Sequence, residues 1–164
     1  MYNSGIGTKW RQQGNEAGRL SYPLDEENCT GNTCKQTFAN GTIHWTAASG
    51  PWPVYKNAIT AAWTRNGAQN GRYGYPTSDE SCNTTACWQD FQGGQFSWTA
   101  ARGVIPIHPS GISSTWRHHG GHNGIFGHPT VPESCTAVQC WQAFSNGQIT
   151  WDAGKGFTLL TYRN

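Results

Sequence analysis

Apolar residues along this chain return with two short periods and one long one. The first short period is helical. Ile6 and Trp10 stand four apart, as do Ile59 and Trp63, and Ile112 and Trp116, so each pair shares one helix face. Ser4, Asn57 and Ser110 precede these pairs, and their side-chain oxygens suit an N-cap. Gly14, Gly67 and Gly120 follow them, where a left-handed C-terminal cap is wanted. A helix of about nine residues does not hold alone, so its apolar face must pack on something.

The second period is that of a strand pair. Lys35-Gln36-Thr37-Phe38-Ala39-Asn40-Gly41-Thr42-Ile43-His44-Trp45 alternates around an Asn-Gly pair. Asn40-Gly41, Gly93-Gly94 and Asn146-Gly147 read as type I′ turns. That turn sets Phe38 opposite Ile43 and Gln36 opposite Trp45 on one side. Lys35, Thr37, Thr42 and His44 fall on the other, largely polar, side. A further extended piece, Pro53-Val54-Tyr55, leads to the next helix.

The long period is 53 residues and needs no gap. It relates Trp10, Trp63 and Trp116; Pro23, Pro76 and Pro129; Glu27, Glu80 and Glu133; Phe38, Phe91 and Phe144; and Trp45, Trp98 and Trp151. The chain therefore reads as one repeat domain over residues 1–164, with units of about 1–53, 54–106 and 107–164. The expected fold is α+β, each unit a short helix plus a β-hairpin around a shared core. A β-trefoil also has three units, but the capped helices argue against it.

Composition changes this picture in two ways. Hydrophobic residues are only 35% of the chain, yet nine Trp, six Tyr and six Phe supply large buried areas per residue. A charged fraction of 12% and a net charge of +2 give no footprint for nucleic acid, and no stretch approaches the ~20 apolar residues of a membrane span. Met1-Tyr2-Asn3-Ser4 has neither the charged nor the apolar region of a signal peptide, so the chain reads as a mature or excised domain.

The six cysteines form three C-x4-C pairs, Cys29/Cys34, Cys82/Cys87 and Cys135/Cys140. Among the 15 pairings open to six cysteines, the local one treats every repeat alike. Each bridge then closes a tight loop worth roughly 2 kcal/mol and implies an oxidising compartment. No second pair or recurring His stands at ligand spacing, so no metal is expected. His118-His119-x2-His122 invites one, but Gly120-Gly121 interrupts any helical clamp and the second repeat has Arg65, Asn66 and Gln69 there.

The segment Ile59-x3-Trp63-x3-Gly67-x3-Gly71-x-Tyr73-Gly74-Tyr75-Pro76-x3-Glu80, followed by Gln89-x-Phe91-x2-Gly94-x-Phe96-x-Trp98, resembles the LGFP repeat of actinobacterial secreted proteins. The other two units match similarly, so the resemblance covers nearly the whole chain. The name-giving tetrapeptide stands as Leu20-Ser21-Tyr22-Pro23, Tyr73-Gly74-Tyr75-Pro76 and Phe126-Gly127-His128-Pro129. Ser21 replaces the glycine, and the cysteine pair looks unlike the common family pattern. The resemblance implies units set around a pseudo-rotational axis, and a secreted, cell-wall-associated module. It also implies that the module anchors a catalytic domain of the same parent protein to a cell-wall polysaccharide, an arabinogalactan-like glycan or a peptidoglycan-associated sugar.

Candidate ligand residues follow from the chemistry of sugars, in which an aromatic face stacks on C–H bonds and amides bond hydroxyls. Trp45, Trp98 and Trp151 beside Gln36, Gln89 and Gln142 satisfy it, with core packing the competing account. Tyr22, Tyr75 and His128 join them at the proline turn, as do Trp88 and Trp141 on the polar hairpin face. Trp10, Trp63 and Trp116 read as core, and Glu27, Glu80 and Glu133 as acceptors of backbone N–H bonds. No nucleophile–base constellation recurs and no cofactor motif appears, so a non-catalytic binding module is expected. The rivals are a protein-binding scaffold or inhibitor, and a small wall hydrolase using Asp79, Glu80 or Asp90.

Overall fold

The computed structural model describes residues 4–162, so the reading of Met1-Tyr2-Asn3 lies outside the described residues. Each repeat folds in the same order. The first consists of helix α1 (Gly5–Gln12) and strands β1 (Asn28–Thr30), β2 (Thr33–Phe38), β3 (Gly41–Thr46) and β4 (Gly50–Tyr55). The second has α2 (Ala58–Arg65), β5 (Ser81–Cys82), β6 (Ala86–Phe91), β7 (Gly94–Thr99) and β8 (Gly103–Ile107). The third has α3 (Gly111–His118), β9 (Ser134–Cys135), β10 (Gln139–Phe144), β11 (Gly147–Asp152) and β12 (Gly156–Thr161). The strands of each repeat form their own four-stranded antiparallel meander, which sets the trefoil alternative aside. Among the described residues no helix is long and apolar enough to cross a membrane.

The caps form as the sequence dictates. Ser4, Asn57 and Ser110 accept from the backbone N–H of Gly7, Thr60 and Ser113. Gly14, Gly67 and Gly120 adopt φ values of 97°, 90° and 94°, which end each helix in the left-handed region. Cysteines pair locally, as Cys29–Cys34, Cys82–Cys87 and Cys135–Cys140, and Cys29 and Cys34 are direct cross-strand partners between β1 and β2.

The hairpin register differs from the type I′ expectation. Phe38 pairs with Gly41 and Gln36 with Ile43, so the two-residue turn is Ala39-Asn40 rather than Asn40-Gly41. Neither turn residue has positive φ, which a type I′ turn requires. The glycine serves the neighbouring strand instead: a Cβ on Gly41 would lie 2.4 Å from the Val54 carbonyl oxygen, and one on Gly147 2.2 Å from that of Leu160. A slip of two residues leaves every side chain on its expected face, so Phe38 and Ile43 still point inward.

The expected single shared core is also replaced. One cluster joins Ile6, Trp10, Leu20, Phe38, Ile43 and Tyr55; another joins Ile107, Ile112, Trp116, Phe126, Phe144 and Ile149. Each collects the helix face and inner sheet face of one repeat, and the second cluster also takes in Ile107 from the end of β8. By packing, the chain divides into two compact units, the first running to Ser81 and including Gln89–Gln92, the second comprising Cys82–Trp88 and the chain from Gly93 onward.

Candidate ligand-binding site

The repeat-invariant tetrapeptide is a structural device. Leu20, Tyr73 and Phe126 at its first position are fully buried. The second position turns left-handed, with φ of 62° at Ser21, 64° at Gly74 and 70° at Gly127. That turn aims its carbonyl at the buried indole, and Trp10, Trp63 and Trp116 donate to Ser21, Gly74 and Gly127 oxygens at 2.9, 2.9 and 2.8 Å. These three tryptophans are therefore core, their one polar atom satisfied. Pro23, Pro76 and Pro129 then bridge to Phe38, Phe91 and Phe144.

Two of the periodic glutamates, Glu80 and Glu133, serve the helix starts by bonding the side chains of the cap residues, where backbone N–H groups were expected. Asn57 accepts from Thr60 N–H through its oxygen and donates its amide N–H to Glu80. Ser110 Oγ accepts from Ser113 N–H at 3.1 Å and donates to Glu133 Oε2 at 2.5 Å. The carboxylate thus orients the cap residue from behind.

Gln36, Gln89 and Gln142 are corrected as ligand groups, because they are enclosed and committed. Their Nε2 atoms donate to the carbonyls of Asp25 (2.9 Å), Ser78 (2.9 Å) and Val131 (3.0 Å), and Gln89 donates also to Pro53 (2.7 Å). They staple the descending loop to the hairpin, and a sugar cannot reach them.

The tryptophans beside them differ between repeats. Trp45 is half-buried, its Cδ1 packed within 2.9 Å of the point where a Cβ on Gly5 would stand. Trp98 is also half-buried. In the third repeat Phe157, where the first has Pro51 and the second Val104, takes the place over the helix start, 2.7 Å from a Cβ on Gly111. Trp151 is left 36% exposed. It walls a groove of about 270 Å³ with Ser110, Ile112, Glu133, Cys140 and Phe157. A disulfide sulfur has no proton to donate, so the 3.6 Å approach of Cys135 Sγ to Glu133 Oε1 is only a contact. The groove joins two aromatic walls to a carboxylate and a hydroxyl.

The remaining candidates scatter. Tyr22 is 55% exposed. Tyr75 is half-buried and lines a smaller polar groove of about 130 Å³ with Asn28, Thr33, Lys35, His44 and Gln69. His128 is half-buried, and burial lowers its pKa. Trp141 is exposed, as the hairpin face predicts, but Trp88 is not. It stacks on His122 at 4.1 Å between ring centroids, which the sequence reading missed because the partner lies in the next repeat.

His122 is buried, its Nε2 2.8 Å from Gln95 Oε1 and its ring edge-on to Trp116 at 4.7 Å. Burial, with His128 and Arg117 nearby, lowers its pKa to about 3. His44 is held at about 4 by burial and by Lys35, its ring edge-on to Trp63 at 5.3 Å. His119 Nδ1 donates to the Thr115 carbonyl at 2.8 Å, so these imidazoles are engaged in packing and bonding. Where potential metal ligands do gather, as Glu27/Cys29/Cys34 and its two counterparts, both sulfurs are bonded to each other, and the carboxylate alone is a weak set.

A family model described as LGFP repeat matches residues 20–71 and 74–124, more than half of the chain. Each match starts near the proline turn, crosses a sheet and ends on the glycine turn after the following helix. No curated protein matches the chain.

Proposed function

The chain belongs to the LGFP repeat family, and from that premise we propose that it is a non-catalytic module binding a cell-wall polysaccharide of the arabinogalactan type. The observation that carries the reading is the third-repeat groove. Trp151 and Phe157 offer apolar faces to sugar C–H bonds, while Glu133 Oε1, the carboxylate oxygen not engaged by Ser110, can accept from a hydroxyl. Aromatic stacking plus a few convergent polar atoms is the chemistry of saccharide sites.

A repeating glycan presents repeated epitopes, so weak sites act together by avidity. Trp45 with Glu27 and Trp98 with Glu80 repeat the elements of the groove in sequence, as shallower secondary contacts. A pseudo-rotational arrangement of the repeats belongs to the same reading, since a common unit-to-unit step would present these elements at regular intervals. Three disulfides suit secretion to the wall, and the parent protein's catalytic domain would be the anchored cargo.

The test is co-sedimentation of the oxidised protein with insoluble actinobacterial walls, with and without soluble arabinogalactan. Binding displaced by the glycan and weakened by Trp151→Ala supports the proposal. Absence of binding by folded protein refutes the arabinogalactan ligand. Capture of a wall protein that sugar does not displace supports the scaffold reading, and hydrolysis of the polymer lost in Glu80→Gln supports the enzyme.

A further inference from the structure

The outer faces of the three sheets have the same origin in sequence but different fates. In the first sheet this face carries Val54, which is buried. In the second it carries Ile107, only 2% exposed and packed into the cluster of Ile112 and Trp116 of the following repeat. In the third sheet the corresponding residue, Leu160, is 55% exposed. Tyr162, two residues further on, and Trp141, on the same face two strands away, are exposed as well. Gln139, Gln148 and Thr150 complete an open groove against Trp141.

The reverse gradient runs through the segment that covers such a face. Where the third repeat has buried His122, the second has half-buried Gln69 and the first exposed Glu16. Where the third has half-buried His128, the second has half-buried Tyr75 and the first has Tyr22, 55% exposed. Leu160 and Trp141 on the third sheet are thus exposed, and so are Glu16 and Tyr22 of the first repeat.

The two ends are chemically complementary. Within the second compact unit, the covering ring of His122 lies on Trp88 and its Nε2 meets Gln95 Oε1 at 2.8 Å. At the open face Trp141 stands where Trp88 does, and Gln148 where Gln95 does. The counterpart of His122 is Glu16, a carboxylate that can accept a hydrogen bond from the second amide N–H of Gln148, whose first is given to Thr150 Oγ1 at 3.0 Å. Tyr22 brings a ring and a hydroxyl to the same contact.

We propose that the outer sheet face of the third repeat, built on Trp141, Gln148 and Leu160, receives the Glu16–Tyr22 segment of a second copy of this chain. The contact is heterologous and head-to-tail, so copies add in sequence rather than in closed two-fold pairs. It repeats between chains the covering of Trp88 and Gln95 by His122 within one. The proposal does not depend on the glycan reading, because the Trp151 groove lies on the opposite face of the same sheet: Trp151 and Thr150 are consecutive in β11 and point to opposite sides.

Sedimentation equilibrium of the oxidised protein, alone and with two surface variants, tests the pairing. Wild type is expected to associate progressively with concentration. Leu160→Glu, which blocks the sheet face, and Tyr22→Arg, which blocks the covering segment, should each remain monomeric under the same conditions, a loss in affinity of more than about tenfold. Mixing them should restore a 1:1 dimer and nothing larger, since each retains the face the other lacks. A wild type that stays monomeric overturns the proposal. So does association lost in Leu160→Glu but unchanged in Tyr22→Arg, the signature of two β12 edges pairing with each other.

Discussion

Each compact unit contains one place where a sheet meets the helix and turn of the next repeat, and the two are built from different chemistry. In the first unit the contact is largely ionic and polar. Lys9 bonds Asp79 at 2.7 Å, Arg19 bonds Glu80 at 2.7 Å and lies over the Tyr55 ring, and Lys35 stands beside the small polar groove. In the second unit Trp88 replaces Lys35, and a Trp88–His122–Trp116 stack fills the corresponding space. One backbone plan therefore accepts either solution. What both require is a neutral imidazole in a dry place, His44 in one and His122 in the other.

The largest expected effect comes from exchanging the two solutions. Trp88→Lys should destabilise the second unit by about 3 kcal/mol, because it removes a stacked ring and sets an ammonium beside a buried imidazole. Lys35→Trp should cost the first unit less than about 1 kcal/mol, since the open groove has room for the ring. Hydrogen exchange of β2 and β6 amides reads the two separately.

Acid should affect both units. The folded pKa values of about 4 for His44 and about 3 for His122 lie below the unfolded value of about 6.5. The unfolded chain therefore binds more protons below pH 6.5, and stability present at neutral pH falls as pH drops towards 4 and 3. Each histidine contributes a slope of about 1.4 kcal/mol per pH unit inside its window. A pH series of denaturant melts should show the decline, and His122→Gln should remove part of it.

Ser21 is the single non-glycine at the left-handed tetrapeptide position. It is tolerated because Ala39 lies across from it in the repeat, where Gln92 and Ser145 crowd Gly74 and Gly127. Ser21→Gly should relieve a left-handed conformation and raise stability by up to about 1 kcal/mol, measurable as a rise in Tm. The smallest effect is that of salt. Raising ionic strength should weaken the first unit by roughly 0.5 kcal/mol through its partly exposed Lys9–Asp79 and Arg19–Glu80 pairs, and leave the aromatic contact of the second unchanged.

Local order was legible in the sequence because its causes are local. The caps at Ser4, Asn57 and Ser110 and the bridge within each C-x4-C pair depend on residues a few positions apart. The hairpin register was not, since the Asn40-Gly41 turn signal yields to the close approach of Val54, which the hairpin alone does not contain. The glutamines were misjudged for a related reason: invariance between repeats is the same whether an amide meets a ligand or the Asp25, Ser78 and Val131 carbonyls. The exposure of Trp151 depends on Phe157 replacing proline and valine, a change that gains meaning only once β12 is known to cross the start of α3. Trp88 and His122 are 34 positions apart, and no short-range pattern joins them.

The nine tryptophans also supply the most direct test of the binding account. In a two-dimensional NMR titration of the oxidised protein with arabinogalactan oligosaccharide, the indole N–H signal of Trp151 should shift saturably. The signals of Trp10, Trp63 and Trp116, enclosed and bonded to backbone carbonyls, should stay still. A titration that leaves Trp151 unmoved while the protein remains folded would contradict the proposed saccharide site.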